Sequence, residues 1–144
     1  MSGATPSIRR RARERALEIL YGISHTGDDW RDTLAPFWET FATREGSREY
    51  AEQIVEGVSD QTAELDAAID AALTGWSPGR VGRIERVILR IALFEMRYRP
   101  DVPQKAAINE AIELAKAYGA DDSAGFVNAV LDRLRDDAAS GAAS

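Results

Sequence analysis

The sequence predicts an all-α protein, and three observations lead to this prediction. Apolar residues recur at spacings of three and four along most of the chain, as they do on the buried face of a helix. The composition is rich in Ala, Arg, Glu and Leu, which are good helix formers. No segment shows the alternation of apolar and polar residues that is typical of a half-buried strand. At 144 residues the chain is long enough to bury the core of one ordinary domain.

A first helix is predicted over about residues 7–23, where the apolar positions repeat at helical spacing. Arg10, Glu14, Leu17 and Tyr21 fall on a separate strip of the same helix, because they follow the spacing i, i+4, i+7, i+11. We therefore expect Leu17 and Tyr21 to be available to a partner. The positions expected to face the core are Ile8, Ala12, Ala16, Ile19, Leu20 and Ile23.

The middle of the chain predicts shorter helices. Residues 30–43 read as a poorer helix with Pro36 in its first turn, where the missing N–H costs nothing. Residues 50–73 form one long helix, or two helices that meet near residues 60–62. Glycines at the two ends of residues 75–79 then mark the clearest boundary. The aromatic residues expected to be buried in the poorer helix are Phe37, Trp38 and Phe41.

Residues 81–98 predict a central helix, because nearly everything outside one narrow arginine stripe is apolar. Glu85 and Glu95 lie away from that stripe, and a carboxylate left unpaired among apolar neighbours costs on the order of 3 to 5 kcal/mol. Each therefore needs a partner, either within the chain or, as we favour for Glu85, on another protein. The arginine stripe consists of Arg83, Arg86, Arg90 and Arg97.

Two further helices complete the predicted domain. One spans residues 107–118 and is stopped by Gly119, and the last is capped by Asp122 or Ser123. The predicted organisation follows from these elements. It comprises a flexible segment 1–7, a helical domain 8–135 divided into subdomains 8–75 and 76–135, and a disordered tail 136–144 that lacks apolar residues to bury.

Positive charge is concentrated at the start of the chain. The first 15 residues carry five arginines against one glutamate, a net charge of +4, whereas the other 129 residues carry 13 basic and 23 acidic side chains, a net charge of −10. Such a cluster attracts phosphates and offers planar donors to oxygens and base edges. The pattern predicts a local site for a polyanion; the alternative is a solvated helix terminus. The cluster consists of Arg9, Arg10, Arg11, Arg13 and Arg15.

The sequence offers no chemistry for catalysis. It has no cysteine and a single histidine, His25, so a thiolate nucleophile, a Cys-based zinc site or a Ser-His-Asp arrangement cannot be built. No glycine-rich phosphate loop precedes a helix, and the paired aspartates lack the ligand spacing of a calcium loop. We expect a non-enzyme without metal or cofactor. The absence of cysteine is compatible with a reducing cytoplasm, and no apolar run approaches the length of a membrane span.

Three separated segments resemble the NusB family of bacterial transcription antitermination factors. They read RRRARERALEILY at residues 9–21, IERVILRIALFEM at residues 84–96, and VPQKAAINEAIELAKAYGADDSAGFVNAVLD at residues 102–132. The resemblance implies about seven helices in two small packed bundles. It implies a non-enzymatic protein that binds single-stranded boxA RNA together with NusE, a small-subunit ribosomal protein, and joins RNA polymerase and other Nus factors in processive transcription of ribosomal RNA operons.

The same resemblance implies which residues make these contacts. The RNA-binding residues would be Arg9, Arg10, Arg11, Arg13, Tyr118, Asp122, Ser123 and Phe126. The NusE-binding residues would be Tyr21 and Glu85, with Glu14 and Leu17 as weaker additions. For the two aromatic residues, the structural alternative is that they pack two consecutive helices together.

Two other functions remain open at this stage. The first is a NusB-like RNA-binding module in ribosomal RNA folding, maturation or modification. The second is a self-associating helical scaffold in which the strip of Leu17 and Tyr21 meets a second copy of the chain, and a homodimer is possible.

Overall fold

The structure is a computed structural model that describes the backbone of residues 4–41 and 46–143 and the side chains of residues 8–41 and 46–135. Within these residues it contains seven α-helices and no β-strand, which confirms the predicted fold class. The chain divides into two compact units between Asp60 and Gln61. The first unit contains α1 to α3 and the second contains α4 to α7.

The first unit is built around its N-terminal helix. The helix α1 (Ala4–Thr26) contacts both α2 (Trp30–Thr40) and α3 (Ser47–Asp60). Asp29 caps α2 by accepting a hydrogen bond from the Arg31 N–H, at 2.9 Å. The fully or nearly fully buried apolar residues are Ala12, Ala16, Leu17, Ile19, Leu20, Tyr50, Ala51, Ile54, Val55 and Val58.

The second unit is organised by α5 (Arg83–Tyr98), which contacts α4 (Thr62–Ala72), α6 (Gln104–Tyr118) and α7 (Ser123–Ala143). This confirms α5 as a central helix, since most of its residues are buried. Two arginines of its stripe, Arg86 and Arg90, bind α4. Arg90 binds Asp66 through two hydrogen bonds of 2.8 Å, and Arg86 contacts Asp66 at 3.2 Å and Asp70 at 2.8 Å.

Several predicted boundaries differ from the structure. Two helices do meet at residues 60–62, but the division between units also falls there rather than at residues 75–79, because α4 packs on α5 and α7. The final helix continues to Ala143, past the predicted end at residue 135, because alanine has the highest intrinsic helix propensity. Of the predicted flexible start, residues 1–3 lie outside the described residues, as does Ser144 of the predicted tail.

The helix α2 was the least well predicted element. Pro36 is its seventh residue rather than part of its first turn. No residue of α2 is fully buried: Phe37 and Trp38 are half-buried, and Phe41, which follows the helix, is 42% exposed. Phe41 instead stacks on the Phe37 ring, with 4.5 Å between the ring centroids. The aromatic residues therefore cover one another at the edge of the unit instead of filling its core.

Candidate nucleic-acid interface

The arginine cluster at the start of α1 has an outer and an inner part. Arg10 and Arg11 are exposed, and Arg9 is half-buried with its guanidinium carbon 4.6 Å from the centroid of the Tyr50 ring. Arg13 is only 6% exposed and lies 5.9 Å from the same ring. A cation held over an aromatic face is stabilised by the ring quadrupole. Tyr50 thus supports two arginines of the cluster.

Ion pairs along α1 hold two more arginines. Arg11 lies 3.5 Å from Glu14, and Arg15 is paired with Glu18, each over one helical turn. Glu14, predicted as a partner contact, therefore has an intramolecular partner but keeps 29% of its side chain exposed. Arg13 is buried, so little of its side chain is available for the direct RNA contact predicted for it.

The predicted partner strip on α1 is only partly correct. Tyr21 is 36% exposed and its ring makes an edge contact with His25, at 4.6 Å between centroids. Leu17 is completely buried, so the prediction of an exposed Leu17 was wrong. The reason is that α1 packs against two helices, so the buried part of its circumference is wider than the single apolar face predicted from the sequence.

Glu85 is buried in the second unit and has internal partners, which corrects its predicted exposure. It is 4% exposed, and its carboxylate accepts hydrogen bonds from the Gly82 N–H at 2.8 Å, from Arg80 at 2.8 Å, and from the Ser123 hydroxyl at 2.6 Å. The first of these bonds satisfies an N–H at the start of α5, as a glutamate at the third helical position commonly does. The sequence signal was weak because the cap residue is Gly82 rather than Ser or Thr.

Arg80 is the residue that sequence reasoning missed. Its guanidinium binds both oxygens of Glu85, donates to Asp122 at 3.1 Å, and lies 4.0 Å from the centroid of the Phe126 ring. The structure thus brings together four of the predicted site residues around a fifth residue that was not predicted. The four are Glu85, Asp122, Ser123 and Phe126.

Two of the residues predicted to contact RNA in this unit are buried. Ser123 is 1% exposed; it donates its hydroxyl proton to Glu85 and accepts a hydrogen bond from the Ala120 N–H at 3.0 Å. Phe126 is 6% exposed and packs against Trp76, with 5.6 Å between the ring centroids. Both therefore act as internal supports in this structure; the ring contacts of Phe126 are with Trp76 and Arg80, and the packing of two consecutive helices by the two aromatic residues stays a prediction. Tyr118 is 37% exposed and the Asp122 side chain 75% exposed.

Gly119 ends α6 as predicted, but for a reason other than a left-handed backbone. Its N–H donates to the Ala115 carbonyl at 2.8 Å, and its φ is −96°. A Cβ atom at this position would lie 2.6 Å from the Cβ of Ser123. Glycine is therefore required by the close approach of Ser123, which in turn places the Ser123 hydroxyl on Glu85.

Two carboxylates titrate below their ordinary range. Burial raises the pKa of Glu85, but the hydrogen bonds from Gly82, Ser123 and Arg80 outweigh burial and lower the pKa overall. Burial also raises the pKa of Asp66, and the hydrogen bond and charge of Arg90, followed by those of Arg86, outweigh it. Both groups therefore bind protons more weakly in the folded chain than in the unfolded chain.

This difference predicts acid destabilisation. Because both pKa values are lower in the folded state, the stability that the two groups contribute is present above their ordinary pKa values of 3.8 and 4.5 and is lost as the pH falls through the lowered values. Urea unfolding followed by circular dichroism should give a constant free energy of unfolding from about pH 7 to 5 and a decrease below that range. Asp66→Asn should flatten the decrease; an unchanged acid limb in that variant would contradict the assignment to Asp66.

The described residues contain no group of three or more His, Cys, Asp or Glu side chains placed to hold a metal ion. None of their helices combines the length and the apolar character needed to cross a bilayer.

The part of the chain that the structure describes forms seven helices in two units and exposes arginines on its first helix, which is the architecture of a small all-helical protein with a local cluster of positive charge. The sequence model of the NusB family matches residues 10–136. The sequence is also 43% identical over 127 residues to the transcription antitermination protein NusB of Trichlorobacter lovleyi, covering 88% of this chain and 89% of that protein. The chain belongs to the NusB family.

Solved structures agree with this membership. NusB from T. maritima superposes with a TM-score of 0.78 at 32% identity, covering 89% of this chain and 90% of that chain. A crystal structure of the antitermination factors NusB and NusE in complex with dsRNA contains a chain that superposes with a TM-score of 0.78. That chain is 23% identical, with 90% of this chain and 97% of that chain covered, so it is similar in fold alone.

Proposed function

We propose that this protein is a transcription antitermination factor that binds boxA RNA together with NusE and thereby promotes processive transcription of ribosomal RNA operons. Its role is non-enzymatic and cytoplasmic, and its further partners are RNA polymerase and the other Nus factors. The observation that carries the proposal is the exposed arginine cluster on the first helix of a chain that belongs to the NusB family. Two relatives that are 43% and 45% identical to it over most of their length are named transcription antitermination protein NusB.

The RNA contacts proposed for the first unit are those of Arg9, Arg10 and Arg11. Arg10 and Arg11 are exposed, and Arg9 is half-buried on the Tyr50 ring. Guanidinium groups bind phosphate oxygens through planar pairs of N–H donors and also stack on bases. Arg13 has the supporting role in this proposal, because its contact with Tyr50 helps to fix the ring that holds Arg9.

The contacts proposed for the second unit are those of Tyr118 and Asp122, the two predicted residues there that are exposed. Bases of single-stranded RNA stack on exposed aromatic rings, and Asp122 has a carboxylate that can accept hydrogen bonds from base amino groups. For NusE, the proposed contacts are Tyr21 and Glu14. Leu17 and Glu85 are buried, each within its own unit, and are not proposed as NusE contacts.

Binding of a labelled boxA RNA, measured by fluorescence anisotropy with and without NusE, tests the proposal. We expect NusE to tighten RNA binding by about tenfold or more, which corresponds to a coupling of roughly 1.4 kcal/mol. A scrambled RNA of equal length is the control. The boxA RNA is offered as a single strand and as a duplex, because the NusB–NusE complex that shares this fold was crystallised with dsRNA. Equal affinity for boxA and scrambled RNA, with and without NusE, would contradict the proposal.

The same preparation tests the two other functions. Light scattering would show a self-associating scaffold as a dimer whether or not RNA is present. Of Leu17 and Tyr21, through which such a scaffold was expected to associate, Leu17 is buried and Tyr21 is exposed. A module for ribosomal RNA folding or modification would bind boxA RNA but would not change the read-through of a terminator by RNA polymerase in the presence of the other Nus factors. We expect increased read-through.

A further inference from the structure

The guanidinium of Arg80 is held rigidly in the second unit. One of its faces lies on the Phe126 ring, at 4.0 Å from the ring centroid. Its N–H groups are directed to the carboxylates of Glu85 and Asp122, at distances between 2.8 and 3.1 Å. Even so, 25% of the Arg80 side chain is exposed. Phe126 covers one face of the guanidinium plane and the carboxylates bind its edges, so the opposite face is the one that remains for a further stacking partner.

A cavity of about 320 Å³ lies beside Arg80. Its lining residues include Arg80, Arg86 and residues 75–79, among them Trp76, and Phe126 is not one of them. Arg80 therefore contributes both to the contact with Phe126 and to the wall of a cavity that Phe126 does not line. Its volume is at the lower end of the range found for small-molecule sites, which is enough for a flat ring system.

The local charge decides which kind of ligand suits this cavity. Two carboxylates, Glu85 and Asp122, surround the single positive charge of Arg80, and Arg86 is paired with Asp66 and Asp70. A phosphate placed here would meet a neutralised guanidinium and nearby negative charge. A neutral planar group would instead gain stacking on the guanidinium, which is weakly hydrated and stacks readily on aromatic faces.

We propose that Arg80 is a base-stacking residue, and that one unpaired nucleobase of the bound RNA enters the cavity that Arg80 and Trp76 line. Phe126 then supports the stack from behind instead of contacting the base itself, which agrees with its 6% exposure. The inference rests on the proposed RNA-binding function, because it names a further contact for the same RNA. Its distinguishing feature is a contact with a base rather than with a phosphate.

The Arg80→Lys variant separates these two kinds of contact. Lysine keeps the positive charge beside Glu85 and Asp122 but removes the plane and the paired hydrogen bonds to Glu85, so circular dichroism and a urea titration first establish that the variant is folded under the binding conditions. Stacking of a base on a planar side chain predicts an RNA affinity that is about 5- to 50-fold lower, with an unchanged dependence on salt. A matched control is Arg31→Lys, because Arg31 also lies over an aromatic ring, 4.7 Å from the Trp30 centroid, and pairs with Asp29. This control should bind RNA like the unchanged protein.

An abasic scan of the RNA identifies the base. Each nucleotide of a boxA RNA is replaced in turn by an abasic one, and binding is measured with the unchanged protein and with Arg80→Lys. One position should lower the affinity of the unchanged protein about 5- to 50-fold and have little further effect on the variant, since the base and the plane form one interaction. Equal losses for both proteins at every position would overturn the inference.

A second measurement does not depend on any change at Arg80. The chain has three tryptophans, so Trp30→Phe combined with Trp38→Phe leaves Trp76 as the single fluorescent indole. Entry of a base into the cavity should quench Trp76, and RNA with the identified position abasic should not quench it.

Failure of the unchanged protein to prefer boxA over scrambled RNA would refute the proposed function. Preference for boxA, together with full affinity of Arg80→Lys and no quenching, would refute only the role of Arg80.

Discussion

Replacing Glu85 with alanine is expected to lower the free energy of unfolding by about 3 kcal/mol. A residue that only contacted a partner protein would have little effect on unfolding. The carboxylate is 4% exposed and accepts hydrogen bonds from Gly82, Arg80 and Ser123. Removing one member of a buried ion pair costs about 3 to 5 kcal/mol. The lower end applies because Arg80 keeps Asp122 as a partner and is partly exposed to water. Urea unfolding followed by circular dichroism measures the loss.

The conservative change Glu85→Gln separates charge from hydrogen bonding. Its amide oxygen can still accept the Gly82 N–H, so a loss of about 1 to 2 kcal/mol is expected. Glu113→Ala is the matched control, because Glu113 is also a helical glutamate with a basic partner, Lys116 at 3.4 Å, but its side chain is 49% exposed. That control should change the unfolding free energy by less than about 0.5 kcal/mol. An equally small effect of Glu85→Ala would show that the carboxylate is not bound internally.

The helices could be predicted from the sequence because each buries an apolar face with a repeat near 3.6 residues. The central position of α5 followed from the same reasoning, since apolar residues surround all but one stripe of it. The arginine stripe itself needed the fold: Arg86 and Arg90 are bound by Asp66, which lies on α4 some twenty residues earlier. Spacing along the chain contains no information about such a partner.

The candidate site was less predictable, because burial depends on the number of helices that cover a face. Leu17 lies on a strip of α1 separate from its main apolar face, and Glu85 is a charged residue for which we favoured a partner on another protein, yet both are buried. Arg80 had no sequence signal at all. It lies in a polar turn between two helices, and its role depends on Phe126 and Asp122, more than forty residues later. The exposed arginines were predictable because a charge imbalance between chain segments needs no knowledge of the fold.

Replacing Arg9 and Arg10 together with alanine should weaken RNA binding more than any other pair of changes on α1. If each guanidinium neutralises one phosphate, the slope of log affinity against log salt should fall by about 0.7 per contact for a single strand. The loss in affinity should therefore be largest at low salt and shrink as salt rises. Anisotropy titrations at four or more salt concentrations measure the slope. The fold should be retained, because neither residue is fully buried.

The control for this pair removes the same charge elsewhere. Arg97 and Arg135 are exposed arginines on α5 and α7, and alanine at both positions lowers the net charge equally. A long-range field effect would weaken RNA binding similarly in both double variants, since the total charge is the same. Direct phosphate contacts would change the slope only when Arg9 and Arg10 are removed.

The Tyr50→Leu variant adds a finer test. It keeps the charge of Arg9 but removes the ring that lies 4.6 Å from its guanidinium, so the RNA affinity should fall while the slope of log affinity against log salt is kept.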